Sequence, residues 1–173
     1  MSCLLLGVGN ILLSDEAIGV RVIEAFEQKY RYNPDQLEVM DGGTAGMELL
    51  DALAERDLVV IVDAVVTGDC PGTVVRLEDE QVPRFFSQKI SPHQLGLSDL
   101  LSSLYMIDQS PKKLLLVGAV PSSVEPQIGL TELLSERVDG LVRHVADLLT
   151  EQGIALQPIQ LTDSLGRELQ GED

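Results

Sequence analysis

Residues 3–26 read CLLLGVGNILLSDEAIGVRVIEAF: an apolar run, a glycine-punctuated turn, two adjacent carboxylates and an apolar stripe. The run CLLLGV at 3–8 has the length and unbroken apolar character of a strand buried on both faces. After Asp15, the residues Ile18, Val22, Ala25 and Phe26 recur at helical spacing, which makes one stripe that has to face a sheet. Strand, turn and helix in that order open a β-α-β unit and predict a parallel α/β architecture.

The rest of the chain repeats the alternation. LEVMD at 37–41, LVVIVD at 58–63 and KLLLVGAV at 113–120 are further buried strands, and TVVRLE at 73–78 alternates like an exposed edge strand. Helices are predicted over Ala45–Ala54, Leu95–Leu104 and Thr131–Thr150. The last carries Leu134, Val138, Leu141, Val142, Val145, Leu148 and Leu149 in a 3.6-residue rhythm that Gly153 stops. The expected fold is a three-layer α/β sandwich, with a twisted, mainly parallel sheet and helices on both faces. A single domain is expected over 1–162, followed by a flexible tail at 163–173 whose apolar content is low.

With 173 residues and 45% apolar content, the chain can bury one sizeable core. Its 28 acidic against 12 basic residues give a net charge of −16, which repels nucleic acid and an anionic membrane face. No run approaches the roughly 20 apolar residues a bilayer needs, and SCLLLGVG lacks the basic lead-in and cleavage pattern of a leader. A soluble, cytoplasmic protein is expected. Cys3 and Cys70 have no metal-ligand spacing and are expected as reduced thiols, with Cys3 packed in a strand.

In an open parallel sheet, ligands bind beyond the carboxyl ends of the strands. That rule brings Asn10, Asp15 and Glu16 after the first strand, Asp41 at the end of LEVMD and Asp63 at the end of LVVIVD to one rim. His93, in the connecting segment SPHQLG, can reach it. Each has a plainer reading. Asp15 and Glu16 complement a helix dipole with Ser14 as N-cap; Asp41 before Gly42 and Gly43 is turn chemistry; Asp63 caps a turn; His93 is a solvated loop residue. His144, inside the last helix, is structural.

A dinucleotide site is disfavoured, because the third glycine of G-x-G-x-x-G falls on Leu12 and the helix entrance carries two acids. There is no Walker lysine, no G-x-S-x-G elbow and no H-E-x-x-H. Two carboxylates and one imidazole remain: Glu16, Asp63 and His93. This mixed oxygen and nitrogen set suits a borderline divalent ion such as nickel or zinc and leaves positions open for water and substrate.

Four segments in order, GVGNILLSDEAIGVRV, DGGTAGMELL, VIVDAVVTGDCPGT and ISPHQLGLSDLL, resemble the signature blocks of the NiFe-hydrogenase maturation endopeptidases. The resemblance implies an endopeptidase that removes a C-terminal extension from the hydrogenase large-subunit precursor once nickel is inserted. It implies Glu16, Asp63 and His93 as metal-binding positions, and it links Asp41 to activity or nickel recognition, so Asp41 is taken as the catalytic candidate. Nickel is expected to arrive with the precursor, and zinc or cadmium to substitute for it in a crystal. The alternative is a non-catalytic, nickel-sensing chaperone of the large subunit. A monomer is expected, with no nucleic-acid or membrane partner. The substrate cleft is expected between the loops at 42–46, 64–72 and 87–94. Pro83, Phe85 and Phe86 either supply exposed apolar area there or send at least one Phe to the core.

Overall fold

The structure, a computed structural model, describes residues 1–88 and 91–159. The tail expected at 163–173 lies outside the described residues.

A five-stranded sheet organises the chain. It is built from β1 (Cys3–Val8), β3 (Leu37–Gly43), β4 (Leu58–Ala64), β5 (Val74–Glu78) and β6 (Lys113–Ala119), in the order β3-β1-β4-β6-β5. The first four strands run parallel, and β5 pairs antiparallel with β6 at one edge. The central strands are continuous aliphatic runs because both their faces are covered. Their side chains alternate between two cores.

One core takes Leu5, Val60, Val62, Leu115 and Val117 against α1 (Ile18–Lys29) and α5 (Glu132–Glu151). The other takes Leu4, Leu6, Val59, Ile61 and Leu116 against α2 (Leu50–Leu53), α3 (Gln81–Ser87) and α4 (Pro92–Met106). Each large aliphatic side chain buried this way contributes about 1.5–3 kcal/mol relative to exposure. The expected α/β layers, with helices on both sheet faces, are therefore present.

Several details differ from the sequence reading. The helix expected over Ala45–Ala54 exists only as a 3-10 turn, Met47–Leu49, that runs into the one-turn α2. Helix α3 and a two-stranded antiparallel ribbon, β2 (Tyr30–Tyr32) with β7 (Leu156–Pro158), were not expected. Phe26 anchors that ribbon, its ring centroid 5.3 Å from that of Tyr30 and 6.2 Å from that of Tyr32. Phe85 and Phe86 are both buried in the second core, so neither supplies exposed apolar area. Both cysteines are free thiols, Cys3 buried in β1 and Cys70 exposed. Among the described residues, no helix is long and apolar enough to cross a membrane.

Candidate active site

The chain runs from β1 out to β3 and then back to β4 on the other side of β1, so the strand order reverses between β1 and β4. Such a switch point leaves a crevice at the carboxyl ends of the two strands. Glu16 leaves from the β1 side and Asp63 from the end of β4.

Glu16 sits in a 3-10 turn, Ser14–Ala17, that folds back over the end of β1. Gly9 makes this possible: its φ is +135°, and a Cβ on it would lie 1.8 Å from the Glu16 carbonyl oxygen. The glycine-punctuated turn is thus a clearance for Glu16 and no phosphate cradle. Ser14 is not the N-cap expected of it. Its backbone is left-handed, with φ 50°, and its hydroxyl donates to the Glu125 carbonyl.

Asp15 is not a dipole acid either. Fully buried, its carboxylate accepts from the N–H of Ser122 at 2.9 Å, of Ser123 at 3.1 Å and of Thr131 at 2.8 Å, and from the Thr131 hydroxyl. Thr131 is the N-cap of α5, where its hydroxyl also accepts from the Leu134 N–H. A buried charge needs such a set of partners. Asp15 thereby locks the Glu16 turn to the 121–131 loop.

Asp63 is fully buried at the end of an aliphatic strand. Its oxygens accept from the Ala64 N–H at 2.8 Å and from the Gln94 side-chain amide at 3.0 Å, and they lie 3.1 and 3.2 Å from His93 Nε2. His93 is no solvated loop residue. It is the second residue of α4, after Pro92 has set the first helical turn, and it is buried. Its other nitrogen, Nδ1, lies 2.9 Å from Glu16 Oε1 and 2.7 Å from the Ser91 hydroxyl. Ser91 stands at the N-cap position of α4 but does not cap it; its hydroxyl is turned to His93 and donates to Glu16 Oε1 at 3.4 Å.

His93 therefore presents one ring nitrogen to each of two carboxylates. Burial opposes a charge on the ring, but the hydrogen bond and charge of Asp63, followed by those of Glu16, outweigh it and raise the pKa above that of an ordinary histidine. The protonated ring is the form that donates to both acids.

Around this group opens a cavity of about 400 Å³, lined by the polar Glu16, Ser91, His93 and Gln94 and by the apolar Val66, Pro121 and Val124. The 64–72 and 87–94 segments expected at the cleft contribute, though residues 89 and 90 lie outside the described residues. The 42–46 loop does not line it, and the 121–124 segment takes that place. Asp41 is also elsewhere. Exposed at the end of β3, it accepts from the Gly43 N–H at 2.8 Å, the turn bond that its sequence context allows. It shares a separate shallow depression with Glu24 and Glu27 of α1.

Of the four residues singled out in the sequence, three meet and Asp41 does not. The structure adds Ser91 and Gln94, which hold His93 and Asp63; SPHQ places both beside the histidine, but neither residue type announces a role. As a donor set, two carboxylates and an imidazole fit a divalent ion of the nickel or zinc kind. In the geometry present, the acids bond to opposite ring nitrogens. Among the described residues, no group of three His, Cys, Asp or Glu side chains is spaced as an ion cage.

This architecture corresponds to a known class. The family described as "HycI: Hydrogenase maturation protease" matches residues 20–148, and the chain belongs to that family of endopeptidases. It is similar to the hydrogenase 2 maturation protease of Escherichia coli (strain K12), 53% identical over 159 residues, which are 91% of this chain and 96% of that protein. The hydrogenase expression/formation protein HoxM of Azotobacter vinelandii is 37% identical, over 87% of this chain and 73% of HoxM. The structure matches that of the E. coli hydrogenase maturating endopeptidase HybD with a TM-score of 0.88, over 91% of this chain and 98% of that one.

Proposed function

We propose that the chain removes a C-terminal extension from the large-subunit precursor of a NiFe-hydrogenase, and that it does so after nickel insertion. One observation carries this reading: in a maturation protease, two acids and an imidazole from three separate segments converge, with Glu16 and His93 at the wall of one open pocket and Asp63 buried behind the ring. Nickel is here part of the substrate, held by the precursor, and Glu16, Asp63 and His93 complete its coordination. Zinc or cadmium would satisfy the same donors. An ion so placed polarises a carbonyl or lowers the pKa of a bound water.

The chain's own residues set the conditions for that chemistry. Asp63 is pinned by the Ala64 amide and by Gln94, so it stays where it is. Glu16 has fewer partners and its side chain is 12% exposed, so it is the group that turns toward an arriving ion. The general base is then a carboxylate freed from the ion or Asp41, which in this reading acts on the precursor from the end of β3. General-base catalysis of this kind contributes on the order of 10²–10⁴ in rate. The protein is proposed to work as a monomer.

Nickel-loaded and nickel-free precursor, incubated separately with the purified protein, test the reading. A loss of mass from the loaded form alone is expected. Equal cleavage of both forms would end the licensing role of nickel, and cleavage of neither would remove the proposed substrate.

A further inference from the structure

Exposed apolar side chains form a collar on the loops beside the pocket. Ile11 is 45% exposed, Leu12 56%, Val66 52%, Val124 49% and Ile128 74%. Three loops supply them, and the loops are contiguous. Val66 and Val124 line the same cavity as Glu16 and His93. The Gln127 N–H donates to the Leu12 carbonyl at 3.0 Å, and the Ser14 N–H donates to the Gln127 carbonyl at 2.9 Å, which sets Leu12 beside Ile128. The collar is also almost uncharged. In a chain of net charge −16, residues 10–13, 64–68 and 121–130 contain one charged side chain, Glu125.

An exposed apolar patch of this kind in water marks a surface that another molecule covers. Its loops are already held: Leu13 and Gln127 form a β-bridge, and Asp15 clamps Ser122, Ser123 and Thr131. A pre-ordered surface loses little conformational entropy on association and suits a partner that is itself folded. A scarcity of charge matches a neutral, apolar face better than a basic peptide.

We infer that this collar docks an apolar face of the folded precursor next to its cleavage site, so that the tail enters the pocket beside it. The inference rests on the function proposed above. It assigns recognition to Ile11, Leu12, Val66, Val124 and Ile128, none of which belongs to the polar cluster. The core of such an interface concentrates its energy in a few buried apolar anchors.

The double variant Leu12→Ser/Ile128→Ser tests it, since both side chains are exposed and their loss leaves the core intact. Its affinity for nickel-loaded precursor, measured by sedimentation or interferometry, is expected to fall at least about tenfold, with KM rising in parallel and kcat within about twofold of wild type. Met106→Ser is the control. It removes an exposed apolar side chain in a groove at the opposite end of the sheet and should change nothing. A double variant that binds as tightly as wild type overturns the collar, as does one that loses kcat with binding intact. The two readings fail separately: equal cleavage of loaded and nickel-free precursor ends nickel licensing but leaves the binding comparison standing. A wild-type chain that binds no precursor overturns both.

Discussion

Gly118 of β6 lies in register with Asp63 of β4, and a Cβ on Gly118 would come within 2.1 Å of the Asp63 carbonyl oxygen. The atom that would have to yield is backbone in the middle of the sheet, not the end of a flexible side chain. Gly118→Ala is expected to cost at least about 1–3 kcal/mol of stability and to shift Asp63 away from His93. Calorimetric melting reads the first effect and precursor cleavage the second. Wild-type behaviour in both would show that the sheet opens there without strain.

Asp15→Asn keeps the shape but places an amide among N–H and hydroxyl donors that the carboxylate now satisfies. The variant should lose about 1–3 kcal/mol in urea unfolding. Thr131→Ala should lose less, because the three backbone donors to Asp15 remain. If Asp15→Asn is as stable as wild type, the clamp is dispensable.

The pKa of His93 is raised in the folded chain, so its charged ring contributes stability that is fully present below the unfolded value of about 6.5. That contribution disappears as pH rises through the higher, folded value. The stability difference between wild type and His93→Gln should therefore shrink as pH is raised from about 6 to about 9. An NMR titration of the metal-free protein should show the His93 ring keeping its proton above the ordinary histidine range. A ring that deprotonates at or below that range would contradict the two-acid bridge.

Burial pushes the Cys3 thiol up to about 12, while Cys70 is exposed. At about pH 8, a thiol reagent should label Cys70 and spare Cys3, because the thiolate is the reactive form. Labelling of Cys3 should appear only at the rate at which the sheet opens. Equal labelling in the native state would place β1 at a far more mobile position than the centre of the sheet.

The sequence was most legible where one physical signal sufficed. Three buried strands, β1, β4 and β6, follow from unbroken aliphatic runs, and α1 and α5 from apolar stripes that pack on one sheet face; LEVMD, read as a fourth buried strand, is instead the sheet edge β3, with Glu38 and Asp41 exposed. Glu16, Asp63 and His93 could be grouped because strand ends in a parallel sheet share a rim. What stayed hidden depends on distant partners. Asp15 looks like a helix-end acid, yet the groups it binds lie 107–116 residues away and most are backbone amides. Tyr30–Tyr32 is too short to read as a strand until Leu156–Pro158 comes back to pair with it. Phe85 and Phe86 follow a proline in a mixed segment, where nothing local says which side of α3 faces the core. Asp41 was drawn toward the site by its place at a strand end, and its bond to Gly43 is the local turn preference prevailing.

The reach of Asp15 also has a consequence for timing during synthesis. The turn that aims Glu16 is synthesised 107–116 residues before the groups that fasten it. Until Thr131 has emerged, the Asp15 carboxylate lacks two of the four donors that hold the turn carrying Glu16. A nascent chain therefore carries the Glu16 turn well before the loop that fastens it exists.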